Sequence, residues 1–200
     1  MKFQHVIPLL LTASLTGCGD SGPDASALGD GGAGAWVAIA GGSCNARERR
    51  YAELASPHVE PDAGAIAWLS NPPSSGPHYG QWARWGARAN IARGYWVHNL
   101  EHGGVVFVHR CTSGTCDGVQ SQLVAATQGF PNDSACRPTE TEPARIRVIV
   151  TNDAEIEAPV MGAAWGWVYA ADCVDPASMR SFFTAHVGRA PEDFCFEGSI

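Results

Sequence analysis

The chain has 200 residues, with 13 Lys or Arg against 20 Asp or Glu and a net charge of −7. An acidic chain without basic clusters lacks the electrostatic footprint of a nucleic-acid binder, and it lacks the charge to dock on anionic lipid by itself. Its length suits one domain with a real core once a leader and a linker are set aside.

The leader comes first. Lys2 gives a small positive start, and Val6 to Leu15 form a short apolar stretch interrupted by Pro8. A bilayer span needs about 20 apolar residues, so residues 1–17 read as a secretory signal peptide rather than a transmembrane helix. Leu15-Thr16-Gly17-Cys18 resembles a bacterial lipobox. That implies an exported lipoprotein, anchored in the cell envelope through lipid on Cys18, on the periplasmic or outer-surface side. Gly19 to Ala35 is Gly, Asp, Ala, Ser and Pro with almost no large apolar residue, the composition of a flexible tether. Its literal G-x-G-x-x-G at Gly29, Gly31 and Gly34 follows no strand and is linker, not a nucleotide loop. The expected layout is a signal over 1–17, lipidated Cys and tether over 18–35, and a single globular domain over 36–200.

Besides Cys18 the chain carries Cys44, Cys111, Cys116, Cys136, Cys173 and Cys195. An even set in an oxidising compartment reads as disulfides, with 15 possible connectivities for six cysteines. No pair forms Cys-x-x-Cys, which argues against a zinc ribbon or a thioredoxin-like redox centre.

Within the domain, Tyr51 to Pro61 is mixed polar, a place for a short helix or strand, and Ile66 to Leu69 is a short apolar run. Asn71 to Tyr79 is turn-forming, its Pro and Gly setting a definite non-helical path. Gln81 to Gly86 fits one helical turn, with Trp82 and Trp85 three apart. Val105 to Arg110 is short, β-branched and apolar, a buried strand. Val119 to Gln128 predicts a helix ended by Gly129 and Pro131. Arg145 to Thr151 alternates, which predicts a half-buried strand with Ile146, Val148 and Val150 on one face and Arg145 and Arg147 on the other. Pro159 to Ala170 predicts one strand, and Asp175 or Pro176 starts a last helix through about Val187. Short strands mixed with helices give an α+β class: one compact, disulfide-stapled domain around a mostly antiparallel sheet.

The chemistry concentrates in Trp96-Val97-His98-Asn99-Leu100-Glu101-His102-Gly103-Gly104. On one helical turn His98 and His102 lie on the same face, so two imidazoles can point at one ion. His78, from the stiff Pro-Pro-Ser-Ser-Gly-Pro loop, and His186, near the end of the last helix, are the other candidate ligands. Neutral imidazole suits zinc, copper, nickel and iron. Glu101 is a candidate ligand, a partner orienting an imidazole, or a general base. His98 to His102 also spells H-x-x-E-H, the inverted zinc-peptidase pattern, but Gly103-Gly104 follows where that pattern wants a long helix. The same residues equally fit a buried hydrogen-bonded network with no ion. His58, beside Pro57, reads as surface, and His109 as either face of a strand end.

Asn71 to Tyr79, Trp82, Val97 to Val106, Ala164-Trp165-Gly166, and the late helix with Phe182, Phe183 and His186 followed by Ala190-Pro191-Glu192 together resemble a bacterial family known only as domain of unknown function 3105. The resemblance covers about Cys44 to Glu192. It implies exported or membrane-anchored proteins with no established activity, and a pattern containing His78, His98, His102, His186 and Glu101 but not requiring His58 or His109. The resulting expectation is a zinc or copper site held by some of His78, His98, His102 and His186, with Glu101 as ligand or close partner. The rivals are a metal-dependent hydrolase with Glu101 as base, and a non-enzymatic envelope interaction module whose histidines are structural.

Overall fold

The structure is a computed structural model that describes residues 32–110 and 116–200. The signal segment, Cys18 and most of the tether, together with Cys111, lie outside the described residues. In chain order the elements are β1 (Val37–Ala38), β2 (Arg47–Arg50), β3 (His58–Val59), β4 (His78–Tyr79), β5 (Gly86–Ala87), α1 (Arg93–Glu101), β6 (Val105–His109), α2 (Asp117–Gln128), β7 (Val148–Asn152), β8 (Val160–Ala164), β9 (Trp167–Ala171) and α3 (Pro176–His186).

Seven strands form one sheet in the order β1-β2-β9-β8-β6-β7-β5. The β1–β2, β2–β9, β9–β8 and β8–β6 pairs are antiparallel, and β6–β7 and β7–β5 are parallel. Strands β3 and β4 make a separate parallel ribbon, with His58 opposite His78. The α+β expectation with a mostly antiparallel sheet holds. Among the described residues no helix is long and apolar enough to cross a membrane.

Strand β6 shows why its sequence is apolar without alternation. Val105 and Phe107 point into a cluster with Leu123 of α2 and Met179, Phe182 and Phe183 of α3. Val106 and Val108 point the other way, against Trp96, Val97 and Leu100 of α1. A strand covered on both faces needs apolar residues at every position. Each fully buried large side chain here contributes about 1.5–3 kcal/mol.

The same double cover changes β7. Its alternating sequence suggests one wet face, yet Val148 to Thr151 are all buried and Arg147, just before the strand, is only 2% exposed. Arg147 is held rather than solvated. Its Nε donates to Asp133 Oδ2 at 2.6 Å, and Nη1 donates to the His102 carbonyl at 2.7 Å and to Asp193 Oδ1 at 2.6 Å. Charged groups enter a core only when paired this way.

Three other segments depart from expectation. Pro159 to Ala170 forms a hairpin of two strands that turns at Trp165-Gly166, where Gly166 has φ +72°. Residues 81–86 are not helical, because their backbone is bonded elsewhere: Ala83 to the Asn99 side chain, and Arg84 N–H to the Ile200 carbonyl. Residues 32–34, assigned to the tether by composition, run antiparallel beside Arg50 to Ala52 and bond to them.

Helix α3 opens as expected, with Pro176 in its first turn and the Asp175 side chain accepting from Ala177 N–H. Disulfides join Cys44 to Cys173 and Cys136 to Cys195, and Cys116 is also disulfide-bonded. Each bridge is worth about 2–4 kcal/mol.

Candidate metal centre

Two motifs build the site from opposite sides. The loop before β4 is fixed by its own polar groups. Ser70 and Ser74 hydroxyls lie 2.9 Å apart, Ser75 Oγ accepts from Leu54 N–H at 3.0 Å, and Trp68 Nε1 donates to the Pro77 carbonyl at 3.0 Å. The peptide bond before Pro72 is cis. Gly76 adopts φ +113°, a conformation that L side chains rarely take, and its carbonyl sits 2.9 Å from His78 Nδ1.

Helix α1 is the second side. Gly94 lets β4 approach it, since a Cβ there would come within 2.5–2.8 Å of the Tyr79 ring. Tyr79 in turn presents its carbonyl 2.7 Å from His98 Nδ1. Asn99 grips one peptide of the neighbouring loop, accepting from Ala83 N–H at 2.9 Å and donating to the Ala83 carbonyl at 2.8 Å. That grip holds Trp82, whose ring lies 5.0 Å from His98 and 4.8 Å from His102. Gly104 leaves room for Trp85, which a Cβ would meet at 2.6 Å. His98, Asn99 and Gly104 of the motif therefore each have a local physical reason.

What these elements bring together is His58, His78, His98 and Glu101. One ligand atom from each lies within 4.8 Å of the others, and all but His58 are buried. The imidazole rings stand 4.6 to 5.0 Å apart: His78–His98 4.6 Å, His58–His98 4.8 Å, His58–His78 5.0 Å. His78 Nε2 is 3.0 Å from Glu101 Oε2, yet the geometry is not that of a hydrogen bond.

The carbonyls settle what the ring nitrogens can do. A carbonyl only accepts, so Nδ1 of His78 and of His98 must carry the proton and donate to Gly76 and Tyr79. In the neutral tautomer each Nε2 is then a bare lone pair. Burial pushes His98 down to about 4, and the nearby His78 and His58 push the same way while the Tyr79 carbonyl opposes them, so His98 is neutral at ordinary pH. An imidazole whose Nδ1–H is held by a backbone carbonyl is the arrangement that orients metal ligands. Donor atoms around tetrahedral zinc stand roughly 3.4 Å apart for bonds of about 2.0–2.1 Å. The His78 to Glu101 separation already falls close to that.

The sequence candidates divide three ways. His78, His98 and Glu101 converge. His102, the residue that closes α1, lies beside the group without joining it. Its ring is 4.6 Å from His98 and 3.9 Å from Phe194, and Nδ1 is 3.1 Å from Glu192 Oε2 without hydrogen-bond alignment. Burial, with the neighbouring histidines and Arg147, pushes it down to about 3. His186 is elsewhere: its Nε2 bonds Glu48 Oε2 at 2.9 Å and its ring stacks on Trp167 at 4.5 Å. Of the four candidate histidines, the structure therefore brings His78 and His98 together with Glu101, adds His58 to them, and places His102 beside the group and His186 apart from it. His58 reads as surface in the sequence because it is exposed, and only its pairing with His78 brings it to the site. Nothing in hydropathy marks a two-residue strand.

No curated protein and no solved structure matches the chain. A family model does, over residues 58–195, from His58 itself to Cys195, and by that match the chain belongs to the family described as protein of unknown function, DUF3105.

Proposed function

We propose that this domain binds one transition-metal ion, zinc or copper, through His58, His78, His98 and Glu101, and that it does so as an exported lipoprotein held in the cell envelope by lipid on Cys18. The observation that carries the metal reading is the convergence of three imidazoles and a carboxylate, two of the imidazoles having Nδ1 committed to backbone carbonyls. Three nitrogens and one carboxylate oxygen suit zinc, and nitrogen-rich sets also suit copper(II). The envelope reading is supported by the residues before Cys18 and by the disulfides, which belong to oxidising compartments.

Glu101 serves as a ligand in this proposal. Its carboxylate stands among the converging donor atoms, which favours binding over a separate role as hydrolytic base. The test is metal content by mass spectrometry on protein exported without a His-tag, with wild type recovered from membranes and Cys18→Ala recovered in soluble form. About one equivalent of zinc or copper in both, lost in His98→Ala, is the expected result. A folded wild-type protein that neither carries nor takes up zinc or copper overturns the metal reading, and Cys18→Ala still fractionating with membranes overturns the anchor.

A further inference from the structure

The four donors are not held equally, and the difference says how an ion moves. His78 is fully buried, His98 is 3% exposed and Glu101 is 6% exposed. Two of these are braced by carbonyls within 2.9 Å of Nδ1. His58 alone is exposed, and among the described residues no hydrogen bond holds its ring. It sits on a two-residue strand paired with β4, and the His78 N–H also donates to the Pro57 carbonyl at 3.2 Å. The chain that follows, Glu60 to Ala65, is exposed throughout.

Resting on the metal reading above, we infer that His58 is the exchangeable ligand of the site, the one through which the ion enters and leaves, so that the domain carries and hands on a transition-metal cation rather than locking one in place. The ion keeps His78, His98 and Glu101 while the His58 imidazole dissociates. An incoming nitrogen or sulfur donor from the acceptor then takes the vacated position. The step exchanges one Lewis base for another, with no change of oxidation state and no proton needed from the buried side. A structural zinc site closes all four positions with ordered ligands; one solvent-facing, unbraced ligand lowers the barrier to exchange while three preorganised ones retain affinity.

Zinc release from the loaded full-length protein to a chromogenic chelator tests this, comparing wild type, His58→Ala, His58→Asn and His98→Ala, with and without added imidazole. The inference expects His58→Ala and His58→Asn to keep one zinc per chain, to release it at least about tenfold faster than wild type, and to be slowed again by imidazole filling the open position. A release rate equal to wild type shows that His58 is no ligand and overturns the inference while leaving the site intact. Complete loss of zinc from both His58 variants, as in His98→Ala, shows an indispensable ligand and also overturns it. A wild type that binds no ion brings down the metal reading, and this inference with it.

Discussion

Two histidine–glutamate pairs in this domain have nearly the same length and different natures. His186 Nε2 meets Glu48 Oε2 at 2.9 Å in an aligned hydrogen bond, and the ring lies on Trp167. His78 Nε2 meets Glu101 Oε2 at 3.0 Å without alignment, with two more imidazoles beside it. The first pair is complete: donor, acceptor and stacking surface are all supplied by protein. The second, with His78 neutral and its Nδ1 proton given to Gly76, would set a bare Nε2 lone pair against a carboxylate oxygen, an arrangement that a proton or a cation between them relieves. Distance alone does not separate a structural pair from a site. The state of the other ring nitrogen, and what else converges, does.

The sharpest way to break the comparison is to neutralise each carboxylate in turn. Glu101→Gln keeps shape and removes the charge that would face the proposed ion, so zinc affinity should fall by about 100-fold or more, at or beyond the upper end of what losing an outer partner costs. Glu48→Gln should leave zinc affinity unchanged. Calorimetric titration of both variants decides it, and equal losses would mean that the two pairs are the same kind of thing.

A smaller effect sharpens the role of scaffolding. Asn99 touches no candidate ligand directly but satisfies both polar groups of the buried Ala83 peptide. Asn99→Ala leaves those groups unpaired, and each buried orphan costs about 1–3 kcal/mol. Urea unfolding should register that loss in the metal-free protein. Because the peptide positions Trp82 over His98, the tryptophan fluorescence change on adding copper should shrink as well.

The sequence carries much of this, and the reason lies in range. Helix α1, β6, α2 and α3 are legible because their signals are local: spacing, β-branching, an Asp-Pro start, a Gly stop. His78, His98 and Glu101 are legible because a rigid loop and one helical turn fix them. His58 is hidden because its place depends on a two-residue pairing with β4, and the place of His186 is hidden because its partners Glu48 and Trp167 are distant in sequence. Arg147 misleads: alternation puts it on a wet face, and only Asp133, Asp193 and the His102 carbonyl reveal a buried cation with partners.

The weakest expected effect concerns a buried histidine that converges with nothing. His109 at the end of β6 is 1% exposed, and neither ring nitrogen is in an aligned hydrogen bond. Burial pushes it below the ordinary value of 6.5, opposed in part by Gln120. A histidine depressed in the folded state binds its proton more readily when unfolded, so unfolding takes up protons once the pH drops below about 6.5. Its contribution to stability is present above that pH and declines as the solution is acidified toward its folded value. Comparing urea midpoints of wild type and His109→Gln at pH 7 and pH 5 isolates that term, because every other titrating group is common to both. Wild type should lose more stability between the two pH values than the variant does, by an amount corresponding to less than one proton. Parallel losses would mean that His109 takes up its proton as readily in the fold as in the unfolded chain, so that burial does not depress it here. The cluster at His98 differs from His109 in having other donors beside its neutral imidazole, and that, rather than burial, is what suits it to a cation.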